Sequence, residues 1–237
     1  MKNPVIVVTG ATKGIGRAIV DLFVGHGFDV AVCARTDVDV KALAAALQTQ
    51  MKPGQRFVAR VCNVRDRGSL RAFASDVLAE LGGVDILVNN AGLFIPGTMQ
   101  DEADDAFEMI METNVSSAYH LSRALLPAMM KAQRGHIINM CSVASIRAYP
   151  TGGSYSVSKF AMLGLSKGLR EELKGQNIKV TALLPGAVWT DSWSSSGVAE
   201  ERLMPATDIA RIVWDIAHLS ANTVVEEMVI RPMLGDL

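Results

Sequence analysis

Little in this chain points toward a membrane, a disulfide scaffold or a polyanionic partner. Its 237 residues include three cysteines, Cys33, Cys62 and Cys141. They are widely spaced, each closes an apolar run, and no C-x-x-C occurs, so they read as reduced thiols of a reducing compartment. No apolar run approaches the roughly 18–20 residues that a membrane span requires. The run at residues 5–8 is too short for a signal peptide and passes straight into Thr9-Gly10. The expectation is a soluble, cytoplasmic protein that meets no membrane. Lysine and arginine number 23 against 24 acids, a net charge of −1 and a pI near 6.4, so nothing draws the whole molecule to nucleic acid. The four histidines, His26, His120, His136 and His218, show no ligand spacing, and no catalytic metal is expected. No linker, charge block or repeat divides the chain, so residues 1–237 read as one domain. What is present is apolar: 49% hydrophobic residues, 20% charged and a mean hydropathy of +0.25 describe a well-buried α/β protein.

Residues 5–8 are branched and uninterrupted, as in a strand buried on both faces of a parallel sheet. Thr9-Gly10-Ala11-Thr12-Lys13-Gly14-Ile15-Gly16 follows, then an amphipathic helix with Ile15, Ile19, Leu22 and Phe23 inward. Strand, glycine-rich turn and helix together bring backbone N–H groups to a pyrophosphate, with Gly10, Thr12, Lys13, Gly14, Ile15 and Gly16 as its candidate ligands. An isolated glycine turn can be an ordinary loop; its place directly after the first strand favours the dinucleotide reading. The second strand, residues 29–33, ends in Ala34-Arg35-Thr36, where the adenosine ribose would lie. The acid expected about 20 residues past the glycines points to Asp37, which is equally natural as the N-cap of a helix over residues 38–50. Arg35 and Lys13 offer two cations for a 2′-phosphate, with Thr36 as a donor, which favours NADP over NAD.

Further strands are expected at residues 57–61, 85–88, 136–141, 178–184 and 224–230, with helices between them. The predicted fold is α/β: a Rossmann-type doubly wound parallel sheet of seven strands, helices on both faces, in three layers. A helix over residues 66–81 turns Leu70, Phe73, Val77 and Leu81 inward. Residues 101–131 read as mostly helical, with Asp101, Glu102, Asp104 and Asp105 in the first turn, where the helix dipole favours acids. Met109, Met111, Met129 and Met130 read as core or subunit-interface fillers. Asn114 lies in an apolar helical pattern and must find partners or bend the helix. Thr207 is expected to cap a helix carrying Ile209, Ile212, Val213 and Ile216. Residues 191–203, with Trp193 and three consecutive serines, lack periodicity and read as a flap over a site; its bounds extend to about residues 188–204.

Tyr155 and Lys159 stand four apart, one helical turn on one face. An ammonium so placed favours the ionised form of a phenol, and a phenol so tuned can give or take a proton. Ser142 follows an apolar run and would sit at a strand's carboxyl end, facing that helix. An isolated Tyr-x3-Lys is more often a surface pair, so the case depends on the remaining motifs.

Together these residues resemble the short-chain dehydrogenase/reductase family in its compact single-domain form, over nearly the whole chain. Thr9-Gly10-x3-Gly14-Ile15-Gly16 is similar to the family's cofactor turn and differs from the T-G-x2-G-x2-G of its longer epimerase and dehydratase relatives. Asn89-Asn90-Ala91-Gly92 resembles the sheet-stabilising motif, and Asn114, Ser142, Tyr155 and Lys159 the catalytic tetrad. Pro185, Gly186, Val188 and Thr190 resemble the segment contacting the nicotinamide end. The resemblance implies that the acid of NAD-using members falls on Ala34, with Arg35 next as in NADP-using members. It places adenine contacts on Asn63 and Val64, the backbone of Asn90 beside the cofactor ribose, and Ala91 and Gly92 among the cofactor-binding residues. It implies hydride transfer between nicotinamide and a small-molecule carbonyl or secondary alcohol. Ser142 would then hold the substrate oxygen, Tyr155 protonate it, Lys159 bind the nicotinamide ribose, and Asn114 anchor a proton-relaying water.

In place of the common G-Q-x3-V-D-G-G ending, residues 223–237 resemble a bacterial subgroup related to sepiapterin reductases. Sepiapterin reductase and 3-oxoacyl-acyl-carrier-protein reductase are therefore candidate activities, in a homodimer or homotetramer. Tyr149, Leu93, Phe94, Ile95, Trp189 and Trp193 would line the substrate pocket or simply pack around the flap. The competing class is an NADP-binding sensor or scaffold; a full tetrad favours the enzyme.

Overall fold

Uninterrupted apolar runs decide the architecture. In the computed structural model, which describes residues 2–191, 193 and 196–237, strand β1 (Val5–Thr9) is buried along its length. Ile6 and Val8 join one apolar cluster with Phe23 of α1 (Gly14–Gly25), Leu47 of α2 (Asp37–Gln48) and Val213 of α7 (Ala206–Ala217). Val5 and Val7 join another with Phe73 of α3 (Arg67–Leu81), Leu125 of α5 (Ser117–Ala132) and Leu173 of α6 (Gly153–Leu173). A strand apolar on both faces needs a helical layer on each, which gives three layers.

The remaining strands are β2 (Asp29–Ala34), β3 (Phe57–Val61), β4 (Ile86–Asn89), β5 (Gly135–Met140), β6 (Ile178–Pro185) and β7 (Glu227–Ile230). Among the described residues they form one seven-stranded sheet ordered β3-β2-β1-β4-β5-β6-β7, with every neighbouring pair parallel. The order reverses between β1 and β4, and a ligand crevice forms outside the carboxyl ends of strands at such a reversal. Among the described residues no helix is long and apolar enough to cross a membrane.

Several local expectations need correction. The cap of α2 is Thr36, not Asp37: Thr36 has extended backbone and its hydroxyl accepts from the Asp39 amide. Thr207 does not cap α7; Pro205 holds that position without a side-chain bond, and Thr207 lies inside the first turn. The acid cluster precedes a helix instead of opening one, because α4 starts only at Ala106 (Ala106–Met111). Asp101 and Glu102 are used elsewhere, the first accepting from the Thr98 hydroxyl at 2.6 Å. The last strand begins at Glu227, three residues later than expected. Of the four methionines singled out, Met129 is fully buried and Met130 is 39% exposed.

Two buried polar groups deserve an account. Asn89 and Asn139 face each other across β4 and β5. Asn89 Nδ2 donates to Asn139 Oδ1 at 2.8 Å and to Ser122 Oγ of α5 at 3.1 Å, and Asn139 Nδ2 donates to Ser166 Oγ of α6 at 2.8 Å. This line of amides and hydroxyls ties the central sheet to α5 and α6, two of the helices on that face. His136, at the amino end of β5, has Nε2 2.7 Å from Thr181 Oγ1, whose hydroxyl donates to the Val225 carbonyl. Nε2 is therefore the donor, and Nδ1, buried without a partner among the described residues, carries no proton to donate.

Burial, reinforced by the charge of Lys179, pushes His136 down to about 3. An unfolded imidazole titrates near 6.5. As pH falls the unfolded chain takes the proton first, so this contribution to stability is complete above about pH 6.5 and is lost toward pH 3. The urea midpoint should therefore fall more steeply between pH 6.5 and 4 in the native protein than in His136→Leu. Equal slopes would remove His136 from the acid response.

Candidate active site

The crevice is built where β1 and β4 end. Asn90 Nδ2 donates to the carbonyls of Thr9 and Gly10, both at 2.9 Å. Thr9 Oγ1 accepts in return from the amides of Asn90 and Ala91, at 3.1 and 3.0 Å. The two strand ends are thus clamped, and the chain leaves β1 through Gly10 at a φ of +65°, a conformation that glycine takes without penalty. A side chain at Gly16 would collide with the Gly10 carbonyl and the Asn90 amide, so α1 begins as close to the strand as backbone allows. Lys13 at the N-cap gives no side-chain cap, and the first turn of α1 holds no acid. Its amides and the positive end of the helix therefore remain for an anion, and the cradle of residues 10–16 fits a pyrophosphate.

At the adenosine end, Arg35 and Thr36 are exposed beside one another. The Thr36 hydroxyl, expected as a phosphate donor, gives its proton to Asp39 Oδ2 at 2.6 Å and is committed to the α2 cap. Arg35 has no ion-pair partner among the described residues. Lys13 pairs with Asp191 of the flap at 2.7 Å, both side chains being about two-thirds exposed, and a pair so open to water is weak. Asn63 Oδ1 accepts from the Arg65 amide at 3.1 Å, which leaves it one lone pair, and Val64 is buried next to it. The neighbouring Cys62 thiol is lowered to about 7, chiefly by a hydrogen bond from Cys33.

The polar helix residue finds its partners and bends the helix as well. Asn114 sits in a π turn (Glu112–Ser116) between α4 and α5. Its Oδ1 accepts from the Leu93 amide at 2.7 Å, and Nδ2 donates to the Leu93 carbonyl at 3.0 Å and to Ser158 Oγ at 2.9 Å. Ser158 passes the connection to the Tyr155 carbonyl at 2.7 Å. Lys159 is buried, and its ammonium donates to the Met140 carbonyl at 2.8 Å while standing 5.6 Å from the Tyr155 ring centre. A side chain at Gly92 would lie 3.7 Å from Asn114 Oδ1 and 3.9 Å from Lys159 Nζ, so those two groups converge on one spot of backbone. The ring of Phe94 meets Tyr155 edge-on at 4.9 Å. Ser142 lies two residues past β5 and caps a short 3-10 turn (Val143–Ser145); its Oγ accepts from the Ala144 amide at 3.1 Å, which leaves the hydroxyl proton free to donate. Sequence reasoning missed Ser158 and Glu102. A serine beside a lysine and an acid in an acidic loop carry no periodicity that would separate them from solvated neighbours.

Pro185 and Gly186 close β6, and the Gly186 amide donates to Ile230 at 2.7 Å. Val188 and Met204 form an isolated parallel bridge, with Trp189 N to Met204 O at 2.8 Å and Met204 N to Ala187 O at 3.1 Å, which joins the two ends of the segment expected as a flap. The Thr190 methyl lies over Gly14. Ser192, Ser194 and Ser195 of the expected flap lie outside the described residues. A short 3-10 turn (Glu200–Arg202) brings the Arg202 guanidinium to the chain end, donating to Gly235 O at 3.1 Å and Asp236 O at 3.2 Å. The Asp236 carboxylate is buried 2.9 Å from Arg231 Nη1, and neither of its oxygens receives a well-aligned hydrogen bond. Desolvation, then the charge of Asp236 and a hydrogen bond to it, raise the Tyr149 phenol, and a side chain at Gly186 would lie 3.3 Å from Asp236 Oδ1.

The profile of the short chain dehydrogenase family matches residues 4–201. The 3-oxoacyl-acyl-carrier-protein reductase of Haemophilus influenzae is 34% identical over 232 residues, covering 94% of this chain and 93% of that one. The sepiapterin reductase of Chlorobaculum tepidum is 30% identical over 241 residues, covering 98% of each. Among solved structures, a metagenomic short-chain oxidoreductase in complex with NADP superposes with a TM-score of 0.83 at 30% identity, over 98% of both chains. An alcohol dehydrogenase from Thermococcus sibiricus, complexed with 5-hydroxy-NADP, gives 0.88 at 27% identity over 98% and 97%.

Proposed function

The chain belongs to the short-chain dehydrogenase/reductase family of nicotinamide-dependent oxidoreductases, and on that premise we propose an NADP(H)-dependent carbonyl reductase that also oxidises the matching secondary alcohol. The observation that carries the reading is the convergence of Asn114 and Lys159 at Gly92, with Tyr155 one turn before the lysine. A bound NADP(H) supplies or takes the hydride. The protein's own groups handle position and protons. An ammonium has three donors; Met140 takes one from Lys159, and the other two serve ribose hydroxyls. Tyr155 gives its proton to the carbonyl oxygen during reduction and takes it back during oxidation. Ser142 donates to the same oxygen, where negative charge develops, and such a donor is most effective when fixed in advance. The remaining lone pair of Asn114 Oδ1 anchors a water that passes protons toward Lys159. Fixed orientation of the two reacting carbons supplies several kcal/mol more.

The preference for NADP rests on Arg35, just past the end of β2, and Lys13 in the glycine turn, and is supported by the two NADP-type ligands of the similar structures. The flap over residues 188–204 would cover the nicotinamide end. A homodimer or homotetramer is supported by Tyr119 on α5 and Val157 and Phe160 on α6, large apolar side chains left 42–48% exposed. The whole chain acts as one catalytic domain.

One observation favours a more specific reading. Asp236, whose buried carboxylate keeps acceptor capacity beyond its ion pair with Arg231, stands beside Tyr149 and is suited to a substrate that presents adjacent N–H donors, as the aminopyrimidine ring of sepiapterin does. A 3-oxoacyl thioester has no such donors and would gain nothing from it.

Tyr155→Phe should lower kcat for any accepted carbonyl by about 100-fold or more, with NADPH binding retained; full activity would sink the acid–base role. Arg35→Asp should raise the KM for NADPH about tenfold or more and leave that for NADH within about twofold; equal losses count against the phosphate contact. Sepiapterin should be reduced, and Asp236→Asn should raise its KM about tenfold without altering the KM for a simple diketone. Turnover of acyl thioesters but not sepiapterin would remove the pterin reading and keep the reductase.

A further inference from the structure

The helix that carries Tyr155 and Lys159 starts without a cap of its own. Gly152 is its N-cap and has no side chain to offer, and the first turn holds no acid. An uncapped start leaves amide donors unpaired and lets the first turn fray. Tyr155 is the third residue of that turn, so fraying would move the phenol directly. The missing cap comes from a distant loop. Glu102 Oε1 accepts from the Ser154 amide at 2.9 Å, and Oε2 accepts from the Ser154 hydroxyl. Two glycines make room for this carboxylate: a side chain at Gly153 would collide with it, and one at Gly97 would lie 3.1 Å from Glu102 Cγ. Gly97 is itself bridged to Gly152, its amide donating to the Thr151 carbonyl at 3.1 Å.

The same loop runs between two anchors. Asn114 holds Leu93 at one end by both backbone groups, and Glu102 holds the other end to α6. Between them lies Phe94, whose ring touches Tyr155. The other three acids of the stretch do not reach α6: Asp101 is occupied by Thr98, and Asp104 and Asp105 face solvent.

We infer that Glu102 is a positioning residue for Tyr155, capping the first turn of α6 from outside the helix and fixing the place of the phenol and of the Phe94 wall. The inference rests on Tyr155 as the proton donor proposed above, but the geometry can be read without turnover. Glutamine can keep both contacts, because its oxygen accepts from the amide and the Ser154 hydroxyl can turn to accept from its nitrogen. Aspartate, one methylene shorter, cannot reach both.

The test is Glu102→Ala, Glu102→Asp and Glu102→Gln in the full chain labelled with 13C at tyrosine Cζ, the Tyr155 signal being assigned by its loss in Tyr155→Phe. Alanine and aspartate should displace that signal and glutamine should restore it. With an accepted carbonyl, alanine and aspartate should lower kcat about tenfold or more, since small misplacements are costly. NADPH affinity should stay within about twofold, and glutamine should recover most of the rate. A Tyr155 signal unmoved by alanine and aspartate overturns the inference, as does a lowered melting temperature with kcat unchanged. If alanine fails to fold, the aspartate and glutamine pair carries the test. If the signal moves but the native protein reduces no carbonyl, the proposed function falls and the brace stands.

Discussion

The carboxamide of Asn114 joins three segments: the loop after β4, its own helical stretch and α6. It bonds both the N–H and the C=O of Leu93, as a neighbouring strand would, at the point where β4 has ended and the backbone would otherwise lack partners. A buried peptide group left without such bonds costs about 1–3 kcal/mol, so the loop stays where the amide is. The amide in turn can reach the loop only because α4 and α5 are offset by a π turn, a known device for turning a side chain out of helical register. Its remaining N–H goes to Ser158, one residue before the buried lysine. Gly92, Lys159 and the first turns of α6 then follow from this one group.

The helix behind the site is unusual in composition. Ser154, Ser156, Ser158, Lys159 and Ser166 are all buried on α6, although serine is a mediocre helix former and lysine is seldom buried. Apolar contact alone would not select them. Each of four has a stated partner: Glu102 for Ser154, Tyr155 and Asn114 for Ser158, Met140 for Lys159, and Met162 with Asn139 for Ser166. Ser156 Oγ has none among the described residues. The helix is held by apolar packing, through Leu169 and Leu173 in one cluster and Met162 and Leu163 in a smaller one, and its polar side is spent on orientation rather than on stability.

Legibility in the sequence followed the range of the interactions. The layered sheet was readable because strand burial is written in consecutive residues: 5–8, 29–33 and 178–184 needed only apolar content and length. The glycine turn was readable because Gly10 and Gly16 are required by local backbone geometry. Caps were misjudged by one or two residues, at Asp37 and Thr207, since several adjacent polar residues satisfy the same rule and only backbone conformation chooses. Glu102 was illegible as anything but a solvated acid. Its partner lies 52 positions away, and no periodicity spans that distance. The Thr36 hydroxyl was assigned to a phosphate because a donor near two cations fits one; the helix start nearer at hand took it first.

The asparagine pair across β4 and β5 bears on how the chain reaches this arrangement. Parallel strands can slide along one another while keeping an equivalent hydrogen-bond pattern, and valine- and isoleucine-rich strands resist such slippage only through which face is buried. Asn89 and Asn139 add a check of a different kind. A shift by two residues would preserve the apolar faces of both strands yet strand two amides in a dry interior, away from Ser122 and Ser166. The correct alignment is therefore recognised by a polar match at the end of the strands nearest the crevice. Proofreading of alignment and placement of the chemistry become one event, since the same step brings the ends of β4 and β5 level.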